Sequence, residues 1–392
     1  MDFRLLNSAF LPQAAELWDY CFEKKGDPFY EWYFSEYCLK QNSVIGGFDG
    51  DKLACMLHLN PYAITLRGQT LRLPYIVGVA TAPEYREQHL TRPLLETAFT
   101  VLRAQGAAFA LLMPINPAIY KPYGFDYCYY RHYYQMPLAE LKKLPPVHNI
   151  KITRFADIIE GLDALAAVYE ACGQELNGMA VRSRAKWQEL LNGYKAEKVM
   201  LAIAFEDDKP AGYMLYSLEA GTFKVQELLT LSHEAQTALL RYAAGHLSDA
   251  ANFEWLAEPG NLAYLDFAGS TYSGSLKPFM MARCINIRKA LELLPVPQNV
   301  SGEAVLLITD KFLPLNNGLL KITAQNGALT QASTIENEEI TMDSAAFTQL
   351  YFGTFSFEEL VRAGKIKVHN PQKSGFLQAL FTKCRNYINE YY

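Results

Sequence analysis

The segment from Tyr75 to Phe125 limits what this chain can fold into more than any other. An apolar, β-rich run, Tyr75-Ile76-Val77-Gly78-Val79-Ala80, meets Pro83 and the polar loop Glu84-Tyr85-Arg86-Glu87-Gln88-His89; the amphipathic run Leu90 to Leu102 follows. A strand, a tight polar loop and a helix in that order aim a helix N-terminus, with its unpaired backbone N–H groups, at the space beyond the strand. Such an end accepts a pyrophosphate without help from any particular side chain. Arg92-Pro93 falls in the first helical turn, where proline is tolerated because the N–H it lacks has no intrahelical partner there. A second apolar strand, Phe109-Ala110-Leu111-Leu112-Met113, precedes Ile119-Tyr120-Lys121-Pro122-Tyr123-Gly124-Phe125. A strand-loop-helix alone occurs in many unrelated α/β proteins, but the paired motifs, in order and at workable spacing, favour an anion-binding core.

Together these pieces resemble the acyl-CoA-binding core of the GNAT N-acetyltransferases, and the stretch 119–125 is similar to the Eis (enhanced intracellular survival) branch of that family. The resemblance implies acetyl-CoA as co-substrate, with no metal. It implies that the backbone at Val77, Val79, Ala80 and Thr81 binds the acyl and pantetheine portions. Arg86, Glu87, Gln88, His89, Leu90 and Thr91 then form the phosphate loop, with Asn116 joining the cofactor set. Where the family's loop usually reads Arg/Gln-x-x-Gly-x-Gly/Ala, His89 stands at a glycine position. A side chain there resists positive φ and crowds the loop, or else adds a partial positive charge beside a phosphate. Arg86 taken alone reads equally well as a solvated surface charge.

The bulk composition narrows the alternatives. A chain of 392 residues divides into two or three domains. With half of its residues hydrophobic, 20% charged and a net charge of −5, it reads as an ordinary globular protein. No basic block offers the clustered Lys and Arg that nucleic acid demands. Seven scattered cysteines without a Cys-x-x-Cys read as reduced thiols, and seven histidines without ligand spacing imply no metal. No leader pattern and no run near ~18 apolar residues appears, so a cytoplasmic protein without a membrane span is expected.

Two prolines at Leu144-Pro145-Pro146 mark a break, giving a first domain over 1–145. Its pattern reads helix, helix, three strands, helix, strand, with a turn at Gly46-Gly47 and Asp49-Gly50. Residues 146–284 repeat that order: strand, helices at Ile158 to Cys172 and Ser183 to Leu191, strands near 199–204, 212–218 and 225–231, and a helix from Glu234. Only Ser232-His233 separates the last strand from that helix, leaving no room for a phosphate loop. The expectation is a degenerate, noncatalytic copy. Over 285–392, strands followed by segregated helices suggest an α+β module, similar in order to the sterol-carrier-protein-like domain that ends Eis proteins. The fold class is therefore α/β and α+β: two tandem GNAT-like mixed-sheet domains plus a sterol-carrier-protein-like domain.

Acetyl transfer to an amine needs a neutral nucleophile, donors for the oxyanion and a proton for the leaving thiolate. The resemblance implies Tyr120 as general acid, against the bland reading of a buried tyrosine with a satisfied hydroxyl. It also implies that the terminal carboxylate, on Tyr392, assists deprotonation; packing of the aromatic end against its own domain is the competing reading. Aromatics gather at 18–37, and there Trp32, Tyr33 and Phe34, with Glu31, are candidates to receive a cationic amine; large core side chains and a solvated acidic face explain them equally. The expected acceptor is a primary amine of a small cationic molecule, aminoglycoside-like or lysine-like. The expected assembly is a homo-oligomer, a hexamer by resemblance. Two other classes stay open: a lipid or hydrophobic-ligand carrier with a relic acetyltransferase fold, and an assembly protein.

Overall fold

A computed structural model describes residues 1–267 and 271–390. The chain forms two compact units: residues 1–128 with 280–383, and residues 129–279 with 384–390.

The first unit opens with strand β1 (Asp2–Leu5), helix α1 (Leu11–Cys21) and the short helix α2 (Pro28–Trp32). A hairpin-rich sheet follows, built from β2 (Ser43–Asp49), β3 (Lys52–Leu66), β4 (Gln69–Thr81), β5 (Phe109–Leu112) and β6 (Asp126–Tyr127), with helix α3 (Thr91–Ala104) between β4 and β5. Strand order is β1-β2-β3-β4-β5, then the strand Met281–Cys284, then β6. Met281–Cys284 reaches this sheet from far along the chain and pairs antiparallel with β5 from Met281↔Leu112 to Cys284↔Phe109. Helix α3 buries Leu94, Leu95, Ala98, Phe99 and Leu102, the one-face spacing of an amphipathic helix. That stripe packs on Ile45, Leu57, Leu59 and Ile76 of the sheet.

Gly46 and Gly47 lie inside β2 rather than in a turn. Side chains of Phe48, Leu53, Cys55 and Phe3 crowd the space a Cβ would take, so glycine here permits close packing instead of bending the chain. The turn itself falls at Gly50, where φ is +59°.

The unit is completed by a sheet of order 328–333, 318–325, 302–309, 340–343, 366–368 and by the helix Ser344–Phe352, buried except for half-exposed Ala345. Thr348 Oγ1 of that helix accepts the Cys284 N–H at 3.1 Å. Arg283, wholly buried, donates to Asp310 at 2.6 Å and to Ser344 at 2.5 Å. Burial pushes the Asp310 carboxyl up, but the Arg283 guanidinium outweighs it and leaves the group below its ordinary value.

The second unit is one sheet of order 273–278, 130–137, 252–257, 222–230, 209–219, 200–206, 150–155. The strand Tyr130–Pro137, ahead of the proline pair, belongs to this sheet through its pairing with Asn252–Ala257. One face packs Trp255, Phe223 and Met214 under the helix His233–Ala243; the other packs Leu201, Ile203 and Tyr213 under helices Leu162–Cys172 and Arg184–Ala196. Leu201 and Ile203 alternate with Ala202 and Ala204 between those faces, the period of a strand buried on both sides.

Among the described residues no helix is long and apolar enough to cross a membrane, and no three His, Cys, Asp or Glu side chains stand together as a metal site. The seven cysteines are free.

Candidate active site

The site grows from an irregularity in β4. Register against β3 runs Met56↔Ala80 and then His58↔Val77, which places an extra residue on β4, a β-bulge. Gly78 takes φ +57° there, and a Cβ would collide with the indole of Trp18 from α1. On the other edge, β4 and β5 pair in parallel only at Tyr75↔Leu111 and Ile76↔Leu112. Beyond Ile76 the strands part, and Val77, Val79, Ala80 and Thr81 line the open side of a wedge. Val77 and Ala80 are buried, while Val79 and Thr81 are half-exposed.

The loop at residues 82–90 carries the chain from the wedge into α3. Tyr85 and Arg86 donate their N–H groups back to Ala82 and Pro83. The N–H groups of Gln88, His89, Leu90 and Thr91 have no protein acceptor among the described residues. Helix α3 has no side-chain cap either, so its orphan donors stay available to an anion. Glu87 and His89 both adopt positive φ, +64° and +56°. The expectation that a histidine would keep this position out of the left-handed region is therefore corrected: the loop keeps the conformation usual for glycine, at a cost of about 1–2 kcal/mol per residue. Arg86, Glu87, Gln88 and His89 are all exposed, whereas Leu90 is buried against α3. The Arg86 guanidinium lies 5.8 Å from the Tyr20 ring centroid.

Asn116 caps the short helix Pro117–Tyr120, its side chain accepting the Ala118 N–H at 3.0 Å. Tyr120 stacks edge-on against Phe125 at 6.2 Å, and Phe125 in turn touches Phe99 of α3. The Tyr120 hydroxyl has no protein partner among the described residues, and burial pushes its pKa up to about 12. Gly124 ends the turn at φ +82°, with the Arg283 guanidinium lying where a Cβ would be. Buried Arg283 thus ties the Tyr120 turn to Asp310 and Ser344.

The aromatic cluster has a different character from the one expected of a simple wall. Residues Tyr33–Tyr37 form a π-helical turn, a rare feature frequent at functional sites. Tyr33 is completely buried, stacked on Trp18 at 4.8 Å, and its hydroxyl meets His58 Nδ1 at 2.9 Å and Asn60 Oδ1 at 3.1 Å. Asn42 donates to Tyr33 and Asn60. Burial pulls the His58 pKa down to about 3, so the imidazole is neutral. Trp32 and Phe34 remain half-exposed. Glu31 is exposed and accepts the Gly26 N–H at 2.9 Å, and Asp27 caps α2. Composition did not single out Trp18, His58 or the bulge; the lone Gly78 in an apolar strand was the available signal. Tyr392 lies outside the described residues.

A wedge beside a bulged strand, followed by a donor-rich loop and an uncapped helix, suits an extended ligand that carries an anionic group. Family models for the acetyltransferase (GNAT) domain match residues 2–128 and 178–284, and one for the sterol carrier protein domain matches 287–389. An uncharacterized N-acetyltransferase of Streptomyces avermitilis is 22% identical over 350 residues, 83% of each chain. The N-acetyltransferase Eis of Mycobacterium tuberculosis is 25% identical over 320 residues, 77% of this chain and 76% of that one. Among solved structures, a protein of Enterococcus faecalis superposes with a TM-score of 0.88 at 22% identity, and Eis1 of Mycobacterium abscessus with 0.79 at 19%, each over 100% of both chains. The chain carries two GNAT acetyltransferase domains ahead of a sterol carrier protein domain and is similar to the Eis N-acetyltransferases over about three quarters of its length, a fold that implies acetyl-CoA as co-substrate.

Proposed function

We propose that the first unit transfers acetyl from acetyl-CoA to a primary amine of a small cationic molecule, aminoglycoside-like or lysine-like. The observation that carries this reading is the open wedge at Val77–Thr81 running into the unpaired N–H groups of Gln88 to Thr91. In it, pantetheine lies along Val77, Val79, Ala80 and Thr81, and the pyrophosphate meets the loop from Arg86 to Thr91, with Asn116 at the far side. The amine lone pair attacks the thioester carbonyl, a C–N bond forms, the C–S bond breaks, and the amine gives up one proton while the thiolate takes one. Tyr120 supplies the thiolate's proton: its raised pKa keeps it protonated at neutral pH, so it is a donor whenever the thiolate departs. The terminal carboxylate of Tyr392 assists deprotonation of the amine. Trp32, Phe34 and Glu31 receive the cation, and Tyr33 supports them from the core. Residues 1–128, joined by the strand 281–284, form the catalytic domain, 129–279 the degenerate copy and 285–392 the sterol-carrier-like module, so the boundaries expected at 145 and 284 shift with the strands that cross them; the protein is a cytoplasmic homo-oligomer.

The test is turnover of acetyl-CoA over a panel of amines, with a chain extended by a few C-terminal glycines beside the wild type. The extension replaces the carboxylate at Tyr392 with a neutral peptide group, so turnover should nearly vanish while acetyl-CoA binding persists. Full activity of the extended chain removes the carboxylate from the mechanism. No acetyl-CoA binding, together with tight binding of a fluorescent fatty acid, replaces the enzyme with a lipid carrier.

A further inference from the structure

The second unit repeats the bulge and the wedge. Register between its strands 209–219 and 222–230 runs Leu215↔Glu227 and then Tyr216↔Val225, leaving Gln226 extra. Parallel pairing of 222–230 with 252–257 ends at Val225↔Trp255. In the first unit no strand among the described residues pairs with this edge of β4 beyond Ile76; in the second the chain's own tail lies against the bulge. Asn389 Nδ2 donates to the carbonyl of the bulge residue Gln226 at 3.2 Å. Arg131 donates to Asn389 Oδ1 at 2.8 Å, to the Ile388 carbonyl, and at 3.4 Å to the carbonyl of Leu256 on the other wedge strand. Tail residues 388 and 389 are therefore linked to one parted strand directly and to the other through Arg131.

The bridge is anchored by buried charge. Arg182 holds Glu227 with a two-pronged contact at 2.8 and 3.1 Å, and also donates to Glu390 at 2.7 Å and to the Asn389 carbonyl at 3.1 Å. Tyr387 donates to Glu227 at 3.0 Å. Backbone bonds from Asn177 to Arg385 and from Tyr387 to Asn177, at 2.8 and 2.9 Å, fix the tail's register. What remains beside it is a cavity of about 140 Å³ between Leu228, Gln236, Asn261 and Arg385, well below the ~300 Å³ at which ordinary ligand pockets begin.

We infer that the second unit is a receptor for the tail, which occupies the wedge that its first-unit counterpart leaves open, and that Arg131 and Arg182 are positioning residues for the end of the chain. The positioning role rests on the reading above in which the terminal carboxylate takes part in deprotonation. On that reading, loosening the clamp at 387–390 displaces the reacting group, and errors of ~1 Å at a reacting group cost ~10² in rate.

The test uses the full chain with Asn389→Ala and Glu390→Ala together, compared with wild type and with the glycine-extended protein. Arg182 keeps Glu227 in this variant, and Arg131 keeps the Ile388 and Leu256 carbonyls. Amide exchange over Tyr387 to Glu390 should quicken at least about tenfold. The kcat should fall by about tenfold or more while the KM for acetyl-CoA stays within about twofold. Restoring Glu390 alone should recover part of both. Unchanged tail exchange overturns the receptor. Loosened exchange with unchanged kcat, in a protein that glycine extension inactivates, overturns the positioning role alone. A fully active glycine-extended chain instead sinks the carboxylate reading, and with it the positioning role, and leaves the receptor to be judged by exchange.

Discussion

Two units of this molecule solve the same backbone problem and treat the result in opposite ways. Each carries a bulged strand that parts from a parallel neighbour, and each follows that strand with a helix. In the first unit, residues 82–90 lead to a helix with no side-chain cap, and two non-glycine residues are held at positive φ to shape the approach. In the second, Leu231 and Ser232 alone intervene, and Ser232 caps its helix by accepting the Ala235 N–H at 3.1 Å. Unpaired donors beside parted strands suit an anionic ligand, as proposed for the first unit, whereas a capped helix and a tail held against the parted strands leave the second unit no such donors. The two units thus differ in about ten residues of connection rather than in the fold.

Breaking the filled wedge should have the largest effect. Arg182→Met leaves Glu227 and Glu390 buried without their cation, so the unfolding free energy should drop by about 3–5 kcal/mol in a denaturant titration. Burial pushes the Glu227 carboxyl up, yet Arg182, Tyr213 and Tyr387 outweigh it and hold the group below its ordinary 4.5. A carboxyl depressed on folding supplies stability that is present above its unfolded value and lost as pH falls through the folded one. The penalty of Arg182→Met should therefore shrink below about pH 4.5, and a pH-independent penalty would mean that charge is not what holds the tail.

The open wedge is probed next. Tyr120→Phe removes one proton donor and little volume, so kcat should fall by ~10² with acetyl-CoA affinity nearly unchanged; an unaltered kcat takes Tyr120 out of the chemistry. Gly78→Ala puts a Cβ against Trp18 at positive φ and should cost about 1–3 kcal/mol of stability and weaken acetyl-CoA, as thermal melts with and without cofactor would read. The smallest effect belongs to His89→Gly. It relieves a left-handed histidine but frees the unfolded chain, so the two contributions should leave a gain under about 1 kcal/mol. A tighter Kd for acetyl-CoA would mean that the side chain crowds the loop, and a weaker one that the imidazole touches a phosphate.

Local pattern carried the sequence reading far. The helix from Thr91 was visible in its apolar spacing, the loop in its polar run, and the degenerate copy in the missing connection after Thr230. Contacts between distant positions were not visible. Met281–Cys284 completes the first sheet and Tyr130–Pro137 joins the second because pairing partners far apart in the chain accept them, and no periodicity encodes a partner. Gly46 and Gly47 looked like a turn because composition does not separate a glycine that bends from one that lets neighbours approach. Tyr33 looked like a wall residue, yet a π-turn rotates it into a polar core with His58, Asn42 and Asn60. His89 carried the wrong expectation since tertiary context holds a non-glycine residue where propensity resists it. The tail's clamp was beyond reach, for it depends on four arginine and glutamate positions, Arg131, Arg182, Glu227 and Glu390, separated by most of the second unit.

If the first unit's wedge takes acyl-CoA and the second holds the chain's own tail, each chain binds the cofactor once. Isothermal titration of acetyl-CoA into the full-length protein measures this directly. One site per chain is expected, lost in a Gly78→Val variant that still folds; two sites per chain, or undiminished binding in folded Gly78→Val, would overturn the contrast between the two wedges.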